Sequence, residues 1–466
     1  MLVTRNLQPS LWESVLPAEV RRMAPLLEQV DRWLDDDAFF APFREYFSVL
    51  FGRPSIPMEV YLRMMFLKFQ YKLGYESLCR EVSDSISWRI FCRLNLDGSV
   101  PAPSTLSKIT TRCGEDVVLR LNEALLTRAD AAKLVKTGKV RADTTVVSAN
   151  VEYPTDSGLL ARAVVLAGKL VKRIKGAGGA TRTAFRDAAD EATAKVHAIG
   201  AKLKLRSAEA KEEVQATVLR LTGELADLAQ RAMDDVAPVL ANARHALRRV
   251  AGRRRGLLRK AINQLETLIP RATAVVAQTR LRVAGEKVDS ATRVVSLHEP
   301  DARPIKKGRL GKPVEFGSKA QVMDNEDGLI LDYDVKTGNP PDAEQLAPAI
   351  RRVHKRLGRT PEQVAADRGY GEASVDKELE DLGVKTVVIP RKGKPGKARQ
   401  DLEHSPEFRD LVKWRTGCEG RISHLKRRYG WDRSLVAGHE RTETWCGYGV
   451  LAHNLVKVAR LETKTA

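Results

Sequence analysis

The chain has 466 residues, with 79 lysines and arginines against 59 acidic residues and a net charge of +20. That length exceeds one ordinary core and implies two or three domains; the charge excess calls for a polyanionic partner, because neutralising phosphates releases counterions. No apolar run approaches the roughly 20 residues of a membrane span, the N-terminus lacks a basic-then-apolar leader, and five scattered cysteines without a C-x-x-C pair exclude a zinc site or disulfide frame. The expected setting is cytoplasmic and nucleoid-associated, without membrane contact.

Residues 1–135 read as a helical N-terminal domain. Pro57 opens an apolar run that suits a buried helix, Gly74 breaks it, and the stretch from Glu76 to Leu94 reads as two short helices around a tight turn. That pair is compatible with a helix-turn-helix DNA reader and equally with a plain helical bundle. Pro103-Ser-Thr105 is a good start for the next helix.

At Lys139 to Ser148 the pattern changes to β-branched residues, predicting a strand that carries Asp143. Residues 136–157 form the first part of an α/β core. Residues 158–290 read as a helical insertion: Val214, Val218, Leu221, Leu225 and Leu228 follow alternating steps of four and three, as do Leu258, Ile262, Leu265 and Ile269. Two or more long helices packed as an antiparallel hairpin would bury both seams. No acidic residue occurs from Val236 to Leu265, where Arg253, Arg254 and Arg255 lie among other cations. A charge run is usually a solvated face; one this unbalanced reads as a phosphate-contacting surface.

Residues 291–466 complete the core. Val314 to Met323 and Leu329 to Val335 read as two strands joined by a turn at Asn325 to Gly328, followed by a helix over Ala343 to Leu357. A short strand, Gln363 to Ala366, ends at Asp367, and a helix precedes the strand Lys385 to Pro390. The order strand, helical insertion, two strands, helix, strand, helix, strand, helix describes a mixed α/β layer.

The last helix is read across Trp414 to Tyr429, where Arg415, Glu419 and Lys426 are separated by near-whole turns and share one face. An Arg–Glu pair at this spacing is by itself an ordinary surface salt bridge. Gly417 and Gly420 flank the glutamate, each at about 1 kcal/mol to the helix, which predicts a close approach to that backbone. A lone aspartate commonly caps a loop. Asp143, Asp367 and Glu419 together, each aspartate on or at the end of a strand and the glutamate on the helix after the last strand, have the chemistry to hold Mg²⁺ or Mn²⁺, with two ions flanking a phosphate. Arg415 and Lys426, and Arg368 beside Asp367, would then position phosphates.

These residues carry a resemblance to bacterial insertion-sequence transposases of the DDE type, with an RNase H-like core. Asp143-Thr-Thr resembles the first acidic motif and Asp367-Arg-Gly-Tyr370 the D-x-G-Y second; Arg415, Glu419 and Lys426 resemble the R-E-K part of the Y-R-E-K signature. The signature's tyrosine would fall at Val412, a departure, and the insertion after the first strand is long. The resemblance implies an RNase H-like mixed sheet flanked by helices. It also implies metal-dependent cleavage at the element's ends, strand transfer into target DNA, and double-stranded DNA partners (terminal inverted repeats and target), handled by a homodimer. An RNase H-like nuclease or resolvase without strand transfer shares the acids, and a domesticated, non-catalytic DNA-binding descendant is the third reading.

Overall fold

The computed structural model describes residues 1–6, 15–95, 97–204, 211–309 and 312–465. The helices α1 (Pro25–Leu34), α2 (Met58–Gln70), α3 (Tyr75–Asp84), α4 (Ile86–Phe91) and α5 (Pro103–Ala131) precede the strand β1 (Lys139–Ser148). Then come α6 (Asp156–Gly176), α7 (Ala189–Leu203), α8 (Lys211–Ala246) and α9 (Gly252–Val283), followed by β2 (Arg303–Arg309), β3 (Lys312–Asn325) and β4 (Ile330–Thr337). The chain closes with α10 (Ala343–Leu357), β5 (Gln363–Ala366), α11 (Ala373–Asp381), β6 (Thr386–Val388), α12 (Lys397–His404), α13 (Pro406–Arg415), α14 (Gly417–Arg428) and α15 (His439–Thr465). The expected strands and helices are present in the expected order.

Two compact units arise: residues 1–149 with 318–466, and residues 150–317. In the first, the strand order is β3-β1-β5-β6, with β4 antiparallel to β3 and β5 parallel to both β1 and β6. This mixed sheet, antiparallel on one side and parallel on the other, is the RNase H-like layer that the sequence predicts. The turn before β4 needs Gly328, whose φ of +80° a side chain rarely adopts and whose added Cβ would strike the Arg421 guanidinium.

The N-terminal helices share one core with this sheet. α2 is buried along nearly its whole length, as the apolar run after Pro57 predicts, and α15 packs against α1, α2, α5 and β4. Val140, Val322, Leu331, Val364, Ile350, Val450 and Leu455 all belong to that core. The sheet's other face has its own small cluster, Ala365, Val388 and Phe408, with Leu411, Val412 and Trp414 packed against it. Period-two alternation explains the split, since Val364 and Ala366 point one way and Ala365 the other. α3 and α4 are separated by Ser85 alone, whose hydroxyl accepts the Trp88 N–H and so starts the second helix.

The second unit is a bundle of α6, α7, α8 and α9 with its own core. α8 and α9 pack along each other as the two seams predict, and Leu225, Leu228, Leu258, Ile262 and Leu265 are buried. Val214, Val218 and Leu221 are only partly buried, so the first seam tightens toward its C-terminal half. α6 also packs on both α8 and α9, which makes a bundle out of the expected hairpin. In this unit β2 and the first residues of β3 form an antiparallel pair from Arg303↔Gly317 onward.

Candidate active site

Asp143 and Asp367 reach one place because of strand register. Arg141 lies opposite Ala365 and Ala142 opposite Ala366 in the parallel β1–β5 pair, so the next residues on the Arg141–Ala365 face are Asp143 and Asp367. That is the face on which Phe408 of α13 packs. Asp143 is buried, and its Oδ1 accepts the Thr144 N–H at 2.7 Å. Asp367 caps the single 3₁₀ turn Arg368–Tyr370, with Oδ1 accepting the Gly369 N–H at 2.8 Å. Gly369 is needed there, because an added Cβ would lie 2.7 Å from Asp342 Oδ2 and 2.8 Å from Asp367 Oδ1. Tyr370 is fully buried, and its hydroxyl donates to Gln321 Oε1 at 3.1 Å.

Arg415 is the last residue of α13, and the helix breaks at Thr416 before α14 begins. The single helix expected from Trp414 to Tyr429 is therefore two, joined through Thr416 in right-handed helical backbone, with Glu419 in the first turn of α14. Arg415 Nη2 lies 2.8 Å from Asp143 Oδ2 and 3.7 Å from Asp367 Oδ2, while its Nη1 lies 3.6 Å from Glu419 Oε1. One guanidinium thus touches all three acids. Its own side chain is 12% exposed, whereas that of Glu419 is 69% exposed, so the cluster has a buried floor and an open glutamate edge. The N-terminal end of α14 also favours a carboxylate at that position.

A second charged cluster, which the sequence reading missed, braces the first. Arg141 Nε and Nη2 donate to Asp324 at 2.8 and 3.1 Å, Arg421 Nε donates to the same carboxylate at 3.0 Å, and Asp324 is fully buried. Arg141 Nη1 donates to the Trp414 carbonyl at 2.7 Å, and the guanidinium sits 4.7 Å from the Trp414 ring centre. Arg141 therefore ties β1 to β3 and to the joint between α13 and α14. The signal was available, since Arg141 is two residues from Asp143 and must share its face. It also explains Gly417, where an added Cβ would lie 2.2 Å from Arg141 Nη1. Gly420 meets nothing within 4 Å. The close approach predicted at these glycines is thus made at Gly417 by the protein's own arginine.

Lys426 is half-buried two turns along α14 on the Glu419 face. Arg368 turns away from the acids: its Nε donates to the Arg391 carbonyl at 3.0 Å and its Nη2 to the Gly393 carbonyl at 2.9 Å, holding the Lys/Gly-rich loop. Val412, at the signature's tyrosine position, packs beside Phe408 and offers no hydroxyl. Cys418, next to Glu419, is buried, and desolvation reinforced by Asp324 and Asp143 pushes its thiol well above the usual range. Arg253, Arg254 and Arg255 are exposed on the first turn of α9, in the other unit. None of the five cysteines is in a disulfide. Among the described residues, no helix is long and apolar enough to cross a membrane.

Residues 15–112 match the family described as a transposase domain (DUF772), and residues 279–455 match the transposase DDE domain. The chain belongs to the insertion-sequence DDE transposases. The DDE match contains Asp367, Arg415, Glu419 and Lys426 but begins after Asp143, which the bundle separates from them in sequence and the sheet restores in space. No curated protein and no solved structure matches the transposase.

The donor set suits a hard divalent cation, since three carboxylates supply only oxygen. Among the described residues, however, no three acidic, histidine or cysteine side chains are gathered closely enough to form a metal shell. The cation that the three acids share is the Arg415 guanidinium.

Proposed function

We propose that the transposase uses Asp143, Asp367 and Glu419 to cut DNA at the ends of its element and to join the freed 3′-hydroxyl to target DNA. The observation that carries this reading is the single guanidinium of Arg415 within 3.7 Å of all three carboxylates. Acids brought that close to one cation form a focus of negative charge that a divalent ion would neutralise. DDE transposase domains generally use divalent metals; when bound, Mg²⁺ or Mn²⁺, as a pair, would activate the attacking oxygen and stabilise the leaving one.

The chain's own residues do the rest. Asp143 and Asp367 are held by strand register and by backbone N–H donors, so they hold their positions without substrate. Glu419 has the exposure to admit a duplex from the open side. Arg415 balances the acids and, with Lys426, would bind phosphate oxygens as DNA enters. Water oxygen attacks phosphorus at the element boundary, and the bond to the 3′-oxygen breaks to leave a 3′-hydroxyl and a 5′-phosphate. That hydroxyl oxygen then attacks a target phosphorus and displaces the target's 3′-oxygen. The helices α3 and α4, within the matched transposase domain, would read the terminal repeats, and a homodimer would hold the two ends.

The test is Glu419→Gln in the full chain, assayed for Mg²⁺-dependent cleavage of a duplex bearing the element's ends and for transfer of a labelled 3′-end into a plasmid. Both products are expected to disappear while duplex binding is largely retained. Undiminished cleavage by the variant would refute the site. Cleavage without any transfer by the unaltered protein would reduce the activity to that of a nuclease.

A further inference from the structure

The bundle unit contains a groove that the proposed chemistry does not use. It has a volume of about 710 Å³ and lies between α6 and α9, with Leu297 and His298 completing its lining. The α9 side runs from Gly256 to Arg271 in steps of three and four residues. At 1.5 Å per residue the groove follows that helix for about 22 Å. Lys169 and Arg173, one turn apart on α6, line one wall, and Arg259 and Lys260 line the other. All four are exposed, and no acidic residue is in the lining.

Several other cations of this unit are paired. Lys172 meets Asp187 at 2.8 Å, Lys195 meets Glu224 at 2.7 Å, Arg244 meets Glu266 at 2.6 Å, and Arg280 meets Asp227 at 3.0 Å. Among the described residues, the four groove cations have no such partner. Arg271, a fifth, is already engaged, donating to the Leu297 carbonyl at 2.7 Å, so it shapes the groove's end. Asn263, Gln264 and Thr267 add neutral hydrogen-bonding groups along α9, and the buried Leu170 and Leu268 lie beneath.

We propose that this groove seats the sugar–phosphate backbone of one strand of duplex DNA. The inference rests on the reading that the chain acts on DNA; it extends the phosphate-contacting run read on α9, which includes Arg259 and Lys260, to Lys169 and Arg173 on α6, which the sequence pattern did not indicate. Four unpaired cations without opposing charge fit a polyanion, and the neutral amides of Asn263 and Gln264 fit phosphate and sugar oxygens. Single strands are usually gripped through bases stacked on aromatic rings, and no Phe, Tyr or Trp lines the groove. A strand winds about the duplex axis, so its successive phosphates lie roughly twice as far apart as their 3.4 Å axial rise, and about 22 Å of groove passes about three of them. Arg253, Arg254 and Arg255 extend the cationic track beyond the groove along α9.

The experiment measures binding of the full chain to a labelled duplex of mixed sequence over a series of salt concentrations. Each phosphate contact contributes about 0.9 to the slope of log affinity against log salt. Lys169→Ala, Arg173→Ala, Arg259→Ala and Lys260→Ala combined are expected to flatten that slope by about 3, with an unchanged melting temperature. A charge-retaining set, Lys169→Arg, Arg173→Lys, Arg259→Lys and Lys260→Arg, should restore it. An unchanged slope in the alanine set, with the unaltered protein binding normally, overturns the groove alone. Failure of the unaltered protein to bind any duplex would instead overturn the DNA reading itself. A loss confined to a single-stranded probe of equal length would rule out the duplex backbone as occupant.

Discussion

Gly417→Ala and Gly420→Ala, three residues apart on α14, are expected to move stability in opposite directions. At Gly420 a Cβ meets nothing within 4 Å, so alanine should stabilise by up to about 1 kcal/mol through helix propensity. At Gly417 the new carbon would lie 2.2 Å from Arg141 Nη1, which must move. That guanidinium is a flexible tip, but two bonds to Asp324, one to the Trp414 carbonyl and the Trp414 ring all hold it. The bond to Trp414 would be lost first, and a hydrogen bond from a charged donor is worth about 1.5–3 kcal/mol. Set against at most about 1 kcal/mol of helix gain, the net loss is about 0.5–2 kcal/mol. Urea midpoints of the two variants, measured side by side with the unaltered protein, decide the matter. Equal stabilisation by both alanines would show that Gly417 makes no room for Arg141. Because Arg141 braces the joint that carries Arg415 and Glu419, Gly417→Ala should also weaken DNA cleavage more than Gly420→Ala does.

Two further expectations follow from buried charge. Asp324→Asn leaves Arg141 and Arg421 beside a neutral amide and should cost about 3–5 kcal/mol; a loss below about 1 kcal/mol in urea unfolding would contradict the brace. Lys68 is buried among Phe69, Tyr75 and Trp445, with Nζ 4.3 Å from the Trp445 ring centre, and desolvation pulls its ammonium from 10.5 down to about 8. Between about pH 8 and 10.5 the unfolded chain therefore holds the proton that the folded one has lost, and stability rises with pH across that window. The full difference amounts to about 3 kcal/mol, and Lys68→Met should abolish it; thermal unfolding that retains the same pH dependence would exclude Lys68 as its source.

The sheet was legible because β-branched runs and turn residues announce strands locally, and the acids were legible because Asp143 lies on a strand, Asp367 follows one and Glu419 lies near the start of a helix. Arg415 was legible as a residue but not as the group that gathers the acids, since its contacts to Asp143 and Asp367 join residues far apart in sequence. The Arg141–Asp324–Arg421 cluster joins residues far apart in sequence and is set by register alone. Gly417 and Gly420 look equivalent as letters; only the position of Arg141 separates them. The groove escaped because Lys169 and Arg173 sit among ordinary surface cations until α6 is packed beside α9.

The placement of the bundle inside the other unit's sequence has a consequence for synthesis. The core of that other unit includes Val118 and Leu121 from α5 together with Val450 and Leu455 from α15, so its earliest helices lack their partners until the final helix leaves the ribosome. The bundle, by contrast, has every apolar partner in hand well before translation ends. Domains fold as units as they emerge, so the middle of this chain closes before its beginning does. A ribosome that stops early releases a bundle attached to an unfinished sheet.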